Sequence, residues 1–243
     1  MFFLTRVGCL DMNNLDIIIP CFNESGNLER VIRESSKIVN ESNNQINFIF
    51  VDNGSTDSSL EIVRRLGKLP TGVQVISTAP NRGYGGGILF GLEFSTAPYL
   101  GWTHADLQTP LKDCLKAMEL LNGDADFVKG YRVNREVGDK LFSVCMGLLE
   151  SLIFWTHLTE INAQPTIFKR DFFEKWEDPP SDFSLDLYAL VMAKRAQGNI
   201  ERFNVSFLKR SAGNSKWNDG LKSRIRFIRR TISYSLRLRR NIE

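Results

Sequence analysis

The stretch INFIFVDNGSTDSSLEIV, residues 46–63, decides the fold class. Its first part, INFIFVD, is an apolar run of strand-forming residues, which predicts a buried β-strand over 46–52. Asp52 ends this strand, and Gly54 permits a tight turn directly after it. The Ser- and Thr-rich residues that follow are typical of a helix start, so we predict a helix over 57–68. This part of the sequence thus predicts a strand that leads straight into a helix.

The same alternation of strands and helices extends in both directions. Apolar runs predict further strands at 15–20, 73–77, 99–104 and 126–130, and the segments between them predict helices at 26–41, 86–96 and 111–122. Farther on we predict an apolar helix at 140–157, a helix at 184–197 and a strand at 204–209. Strands of nearly continuous Ile, Val and Phe that alternate with helices are typical of a mostly parallel sheet covered on both faces. We therefore expect an α/β fold.

The composition is that of an ordinary globular protein. With 243 residues, 42% hydrophobic and 24% charged, the chain can bury one substantial core, and its formal net charge of +3 is too small to indicate nucleic-acid binding. The four cysteines lack the spacing of a zinc site or a disulfide framework, which favours a reducing, cytoplasmic location. The N-terminal residues lack the features of a signal peptide, and no apolar run predicts a membrane span.

The last part of the sequence predicts a basic amphipathic helix. Apolar residues recur at spacings of three and four, which would form one stripe along a helix: Leu221, Ile225, Ile228, Ile232 and Leu236. Arginine and lysine residues surround this stripe. Helices of this kind commonly lie in the interface of a membrane, attracted to anionic lipids. The alternative is that the stripe docks on the protein's own core or on a second subunit.

Polar residues cluster where the predicted strands end. Pro20, Asn23 and Glu24 follow the first strand, and Asp52 ends the second. In parallel sheets ligands bind beyond the carboxyl ends of the strands, so we expect these residues on one rim. Asp52 could accept a hydrogen bond from a nucleobase or a ribose, but taken alone its segment could equally be an ordinary strand-to-helix turn.

The segment HADLQTP (104–110) is a candidate metal site on the same rim. If its backbone stays extended, His104, Asp106 and Gln108 point to one side, because residues two apart on a strand do so. An imidazole, a carboxylate and an amide oxygen suit Mn²⁺ or Mg²⁺, which would bridge the phosphates of a leaving group. The alternative is a strand end followed by a helix start at Thr109-Pro110.

A glycine-rich segment, NRGYGGGILFG (81–91), precedes the next helix. It suggests a phosphate cradle, but its spacing matches neither a Walker loop nor the dinucleotide-binding fingerprint. We therefore expect the glycines to allow a close approach of the backbone to the sheet or to a ligand. Asn81 and Arg82 are placed to reach a phosphate, although an exposed arginine is often only solvated.

Six motifs follow one another along the chain: IIIPCFNESGNL, FIFVDNGSTDSS, NRGYGGGILFGL, HADLQTP, GYR (130–132) and KRSAGNSKW (209–217). In this order they resemble the family 2 inverting glycosyltransferases, and most of all the branch of dolichol- and polyprenyl-phosphate mannose synthases. The resemblance implies a GT-A fold, whose α/β sheet binds a nucleotide sugar. We expect an N-terminal extension at 1–14, the GT-A domain at 15–217 and the basic amphipathic segment at 218–243.

The resemblance also implies roles for individual residues. Asp106 and Gln108 match metal ligands of the family, and His104 stands where the family usually has Asp. Arg132 matches an arginine that contacts a phosphate or the acceptor. We expect nucleotide-sugar contacts from Pro20, Asn23, Glu24, Asp52, Gly54, Arg82, Ala105, Asp106, Arg210 and Lys216.

Catalytic roles are expected for Asp106, Arg132 and Asp186. Asp186 lies near where polysaccharide-forming relatives keep a base, which would remove the proton of a hydroxyl acceptor. A phosphate acceptor is already ionised and needs no base. The other interpretation of Asp186 is a first-turn charge that the helix dipole favours. A further departure from the family is Asn53, where a second Asp is frequent.

The resemblance thus implies a metal-dependent inverting glycosyltransferase that uses Mn²⁺ or Mg²⁺. It would move a sugar from a nucleotide-diphosphate sugar to a polyprenyl phosphate or lipid-linked glycan, in cell-surface glycan and polysaccharide biosynthesis. We expect a peripheral protein on the cytoplasmic face of the membrane, with no nucleic-acid partner, and we leave a homo-oligomer open. One alternative is a catalytically silent GT-A domain that acts as a membrane-bound scaffold or partner subunit. A nucleotidyltransferase is disfavoured, because no glycine-rich nucleotidyl loop follows the first strand.

Overall fold

One twisted sheet organises the chain, which we describe from a computed structural model over residues 14–208 and 221–242. The strands within these residues are β1 (Leu15–Cys21), β2 (Ile46–Asn53), β3 (Val73–Thr78), β4 (Tyr99–Trp102), β5 (Phe127–Val133), β6 (Thr166–Lys169) and β7 (Ile200–Ser206). The helices are α1 (Ser25–Glu41), α2 (Ser59–Leu66), α3 (Gly83–Phe94), α4 (Asp113–Leu121), α5 (Val137–Phe154), α6 (Arg170–Phe173), α7 (Leu185–Arg195) and α8 (Leu221–Ile242).

The described strands are ordered β3-β2-β1-β4-β6-β5-β7 across the sheet. All neighbouring strands are parallel except at β6, which runs antiparallel to both β4 and β5. The expected α/β fold with a mostly parallel sheet is therefore confirmed. Because β2, β1 and β4 lie side by side and run in the same direction, their carboxyl ends meet at one edge of the sheet.

Both faces of the sheet are buried, which explains the continuous apolar strands. Ile17 and Ile19 of β1 pack into a cluster with residues of α1 and α4, whereas Ile18 packs on the other face with residues of α3 and α7. Successive side chains of a strand point to opposite faces, so a strand covered on both sides is apolar at every position. Burying each such side chain contributes on the order of 2 kcal/mol.

The glycine-rich segment lies mostly inside α3 rather than before it. A Cβ atom at Gly85 would approach the carbonyl oxygen of Pro180 to 2.5 Å, and one at Gly91 would approach Cγ2 of Ile18 to 2.5 Å. The Gly86 amide donates a hydrogen bond to the Ser181 carbonyl at 2.9 Å. The expectation of a close backbone approach is confirmed. The glycines of α3 bring its backbone close to the sheet and to the segment before α7.

The second half of the chain differs from the predictions at two strands. The strand β6 was not predicted, and the strand predicted at 204–209 is present as β7 but spans Ile200–Ser206. β6 comprises only 4 residues and follows Pro165, which leaves too short a pattern to recognise. β7 lies at the edge of the sheet, and the charged residues Glu201 and Arg202 follow its first residue, so the sequence pattern does not reveal the start of the strand.

Candidate functional site

The loops that follow β1 and β2 are bound to each other. Asn23 adopts a left-handed conformation with φ of 57°, and its Oδ1 accepts a hydrogen bond from the Thr56 amide at 2.8 Å. The Asn23 amide donates to Ser55 Oγ at 3.0 Å, and the Ser25 amide donates to Asp57 Oδ2 at 3.1 Å. These contacts fix two of the predicted ligand-binding loops against one another at the strand tips.

Asp52 lies at the carboxyl end of β2 and is almost fully buried. Its Oδ1 accepts a hydrogen bond from the Ser55 amide at 3.3 Å, so the carboxylate closes the turn that Gly54 makes with φ of 74°. A Cβ atom at Gly54 would lie 3.0 Å from the Asn81 amide nitrogen, so the turn also packs against the start of the glycine-rich segment.

Asn53 holds that segment in place. Its Nδ2 donates to the Gly83 carbonyl at 2.7 Å, and its Oδ1 accepts from the Arg82 amide at 3.0 Å. An aspartate in this position could not donate to a carbonyl, because an ionised carboxylate is only an acceptor. Sequence reasoning noted Asn53 as a departure from the family but missed this role. The signal was available, since Asn offers a donor and an acceptor on one short side chain.

Three other predicted nucleotide-contacting residues border the same edge. Pro20 is half-buried and pairs with Val51 across β1 and β2, and Glu24 Oε2 accepts a hydrogen bond from Asn27 at 2.9 Å. Arg82 is exposed, with its guanidinium 4.8 Å from the centre of the Phe90 ring. These three side chains remain predicted ligands.

The backbone after β4 turns instead of staying extended. β4 ends at Trp102, Leu107 has φ of 56°, and Asp106 Oδ1 accepts a hydrogen bond from the Gln108 amide at 3.0 Å. Our expectation of an extended segment with alternating side chains is therefore wrong, because the Asp106 carboxylate caps a local turn. The metal roles of His104, Asp106 and Gln108 stay a prediction, and now depend on the turn rather than on strand periodicity.

Gln108 joins this turn to the end of the segment after β7. Its side-chain nitrogen donates to the Leu208 carbonyl at 3.2 Å, and the Leu208 amide donates to the Gln108 carbonyl at 2.7 Å. Ala105 is buried in the core, so only its backbone could contact a ligand. Arg210 and Lys216 lie outside the described residues.

The side chains after β4 have the chemistry of a divalent-cation site. Across residues 14–208 and 221–242, no three His, Cys, Asp or Glu side chains are grouped so that they could hold a metal ion by themselves. Mg²⁺ is typically bound by one or two carboxylates together with substrate phosphates and water. The buried carboxylate of Asp106, the amide oxygen of Gln108 and a ring nitrogen of His104 are the donor types of such a partial set, which substrate phosphates and water would complete.

A buried chain of polar side chains leads inward from His104. The Tyr84 hydroxyl lies 3.0 Å from Nε2 of His104 and 3.2 Å from Oδ2 of Asp186. Oδ1 of Asp186 accepts hydrogen bonds from Gln164 at 2.8 Å and from Lys129 at 3.3 Å. Burial lowers the pKa of Lys129 to about 8, while the Asp186 charge opposes that shift. Asp186 is thus enclosed by three donors, and nothing in the sequence indicated this pairing.

Arg132 belongs to a separate ion-pair cluster at the end of β5. Its Nε donates to Glu160 Oε2 at 2.8 Å, and Arg135 pairs with the other carboxylate oxygen of Glu160. Arg132 also borders a cavity of about 40 Å³ that Glu150 and Thr231 line. The structure therefore does not bring Arg132 into contact with Asp106 or Asp186 through any of the described hydrogen bonds.

The helix α8 forms as predicted, but a different face of it is buried. Thr231, Ser235 and Leu238 are buried, whereas Ile225 and Leu236 of the predicted apolar stripe are exposed. Within the described residues, no helix combines the length and apolar character needed to cross a bilayer. The helix α5, which packs against α8, also exposes apolar side chains along one stripe: Val137, Leu141, Val144, Leu148, Leu152 and Trp155.

The family model described as glycosyl transferase family 2 matches residues 16–178. The chain belongs to glycosyl transferase family 2. This membership confirms the family resemblance drawn from the six motifs.

Curated relatives are named undecaprenyl-phosphate 4-deoxy-4-formamido-L-arabinose transferases. The protein from Edwardsiella ictaluri is 27% identical over 124 residues, which cover 50% of this chain and 38% of the relative. That from Pectobacterium atrosepticum is 28% identical over 134 residues, which cover 54% of this chain and 40% of the relative. The matched region thus spans well under half the length of these relatives.

The fold is that of solved GT-A glycosyltransferases. Glucosyl-3-phosphoglycerate synthase from Mycobacterium tuberculosis, in complex with Mn²⁺, uridine diphosphate and glucosyl-3-phosphoglycerate, matches with a TM-score of 0.70. The two chains are 18% identical, and the match covers 93% of this chain and 80% of the synthase. The expected GT-A fold is confirmed.

Proposed function

We propose that this protein moves a sugar, with inversion, from a nucleotide-diphosphate sugar to a polyprenyl phosphate or a lipid-linked glycan at a membrane surface. The observation that carries the proposal is the meeting of three strand ends at one edge. Asp52 and Asp106 are both buried there, on either side of the loop that contains Asn23. Ligands of open α/β sheets bind at this position.

The residues at this edge divide between the nucleoside and the diphosphate. Asp52 and Asn23 would contact the base or ribose, while Asp106, Gln108 and His104 would hold Mn²⁺ or Mg²⁺. A bound cation supplies the positive charge that stabilises a departing diphosphate. Arg210 and Lys216 are proposed to add to this charge.

The surroundings of Asp186 favour a phosphate acceptor over a hydroxyl. Lys129, Gln164 and Tyr84 all direct hydrogen bonds at its carboxylate, which is 2% exposed. A general base must reach the proton that it removes, and such an enclosed carboxylate is badly placed to do so. A polyprenyl phosphate attacks as an ionised oxygen, and the names of the curated relatives point to the same class of acceptor.

The surface of α5 and α8 supports attachment to a membrane, and we propose the cytoplasmic face as the side that is bound. Val137 and Trp155, at the two ends of the α5 stripe, are 82% and 81% exposed. Apolar patches of this extent on a monomer usually mark an interaction site. The neighbouring α8 exposes Arg229, Arg237 and Arg240, whose charges suit anionic lipid headgroups.

Transfer can be tested directly with the full chain. The protein is incubated with a panel of labelled nucleotide sugars, Mn²⁺, and either undecaprenyl phosphate or a lipid-linked saccharide, and the label in the organic extract is counted. We expect metal-dependent labelling of undecaprenyl phosphate, abolished by EDTA and reduced at least a hundredfold in Asp106→Asn. Asp124→Asn is the matched control, since Asp124 is exposed in the turn before β5. Absence of labelled lipid, together with nucleotide binding that Mn²⁺ does not enhance, would support the silent scaffold instead.

Membrane attachment needs its own experiment. The wild-type chain is expected to sediment with vesicles that contain phosphatidylglycerol and to bind neutral vesicles more weakly. Leu148→Glu should lower the bound fraction severalfold because it places a charge in the apolar stripe of α5, whereas Phe94→Glu should not. Phe94 is the control, because it is also exposed but ends α3. Equal binding of all three proteins would contradict the proposed surface, and self-association that Leu148→Glu abolishes would assign the stripe to a second copy.

A further inference from the structure

The Tyr84 hydroxyl connects the rim of the sheet to a buried carboxylate. It lies within hydrogen-bond distance of both His104 Nε2 and Asp186 Oδ2. A phenol has one proton to donate, so only one of these two contacts can use it. Which contact does so decides the protonation pattern of the His104 ring.

Asp186 can only accept at this contact. Lys129 has no acceptor atom, and it donates to Oδ1 of Asp186 at 3.3 Å and to Thr166 Oγ1 at 2.6 Å. Gln164 donates its side-chain amide to the same Oδ1 at 2.8 Å. Lys129 and Asp186 form a buried salt bridge, in which the carboxylate is the acceptor. Oδ2 therefore accepts the proton of Tyr84.

Because the Tyr84 hydroxyl donates its proton to Asp186, its oxygen can only accept a hydrogen bond from His104. Only a protonated Nε2 of His104 can complete the contact. The chain of donors then runs in one direction, from His104 to Tyr84 to Asp186.

We propose that Tyr84, Asp186 and Lys129 are positioning residues that hold His104 as the Nε2–H tautomer, which leaves Nδ1 unprotonated and able to bind a divalent cation. The inference rests on the proposed function for the identity of the ligand, but the tautomer itself does not. Partners of this kind commonly fix the tautomer and the ring orientation of a metal-binding histidine. Thr166, the first residue of β6, and Gln164, two residues before that strand, hold the Lys129–Asp186 pair by hydrogen bonds.

The ring nitrogens can be observed directly by two-bond ¹H–¹⁵N correlation spectra of the ¹⁵N-histidine-labelled full chain. The sequence has only 2 histidines, so a His157→Gln variant assigns the spectrum. At about pH 7, below the pKa of about 8 of Lys129 so that its ammonium group is largely retained, we expect the neutral His104 ring to carry its proton on Nε2. An Nδ1–H ring, a doubly protonated ring or a tautomer mixture like that of exposed His157 would overturn the proposal.

The isosteric variant Asp186→Asn is expected to reverse the direction of these hydrogen bonds. It therefore separates a positioning role from simple packing. In Asp186→Asn, the amide oxygen still accepts from Lys129 and Gln164, so the new amide group donates to Tyr84. The Tyr84 hydroxyl must then donate to Nε2, and we expect His104 to change to the Nδ1–H form. Tyr84→Phe should yield a tautomer mixture, whereas Tyr99→Phe, at the far end of β4, should leave the spectrum unchanged. A folded Asp186→Asn variant with an unchanged tautomer would refute the proposal.

Cation binding provides the second readout. Free Mn²⁺ is measured by electron paramagnetic resonance in the presence of uridine diphosphate, and we expect Tyr84→Phe and Asp186→Asn to weaken Mn²⁺ binding about tenfold or more. Binding as strong as that of the wild type in both variants would contradict the role of the chain at the cation. If the wild type itself binds no Mn²⁺ while the spectra show the expected tautomers, the proposed function fails. The inference that Tyr84, Asp186 and Lys129 fix the His104 tautomer would still hold.

Discussion

Glu150 should make the protein less stable as the pH rises from acidic to neutral. Its side chain lies fully buried on α5 beside α8, and neither carboxylate oxygen has a hydrogen-bond partner among the described residues. The Ser235 hydroxyl nearby donates to the Thr231 carbonyl at 2.9 Å. Burial therefore raises the pKa of Glu150 from 4.5 to about 7. Glu150→Gln removes the ionisation and keeps the shape.

The size of the effect follows from proton linkage. Glu150 binds its proton more tightly in the folded chain than in the unfolded chain, so it costs nothing below the unfolded pKa of 4.5. Above that value, each pH unit removes about 1.4 kcal/mol until the pH reaches the folded value near 7. The total loss is on the order of 3 kcal/mol. Glu150→Gln should thus match the wild type near pH 4.5 and exceed its stability by about this amount at pH 8.

Urea unfolding of both proteins between pH 4.5 and 8 measures the difference, which corresponds to a Tm shift of roughly 5–10 °C at the alkaline end. Other groups also titrate in this range, so the difference between the two proteins is the relevant quantity. Glu41→Gln is the control, because Glu41 is exposed at the end of α1 and should leave the wild-type curve unchanged. The reasoning is refuted if the wild type and Glu150→Gln show parallel pH dependence.

Three further substitutions test the packing around the site. Asn53→Asp should lower the free energy of unfolding by about 1–3 kcal/mol, because it replaces a donor to the start of α3 with an acceptor. Urea titration measures this difference, and a neutral effect would show that the hydrogen bond is dispensable. Gly85→Ala should lower the free energy of unfolding by about 1–3 kcal/mol, because its Cβ would clash with two carbonyl oxygens. The control Gly138→Ala has open space around it and should be neutral or slightly stabilising in the same assay. Lys129→Met should lower the free energy of unfolding by about 3–5 kcal/mol, because it leaves the Asp186 charge unpaired. Adding Asp186→Leu should restore most of that loss, as measured by thermal unfolding. No recovery in the double variant would contradict the ion-pair account.

The first half of the fold was predictable because its signals are local. β1 and β2 are buried on both faces, so their residues are apolar at every position and the strands are visible without any knowledge of their neighbours. β6 escaped prediction because it comprises only 4 residues, and its identity as a strand depends on pairing with β4 and β5. The exposed stripe on α5 was also missed, because an apolar helix looks the same in sequence whether it is covered or not.

Some features of the candidate site could likewise be predicted from the sequence, and others could not. The gathering of Asn23, Asp52 and Asp106 at one edge followed from the rule that parallel strands end together. The contact of Tyr84 with Asp186 joins residues 102 positions apart, and no periodicity in the sequence reports it. Likewise, the turn at Leu107 is decided by a side-chain hydrogen bond from the Gln108 amide to Asp106, which residue spacing alone does not reveal.

The central claim is that the edge formed by the ends of β2, β1 and β4 binds a nucleoside diphosphate together with a divalent cation. The most direct test is a crystal structure grown with Mn²⁺ and the nucleoside diphosphate that best protects the full chain against thermal unfolding. We predict an anomalous manganese peak bonded to the Asp106 carboxylate and to the diphosphate, with the base beside Asp52. A nucleotide bound elsewhere, or a manganese ion that contacts neither Asp106 nor Gln108, would contradict the account.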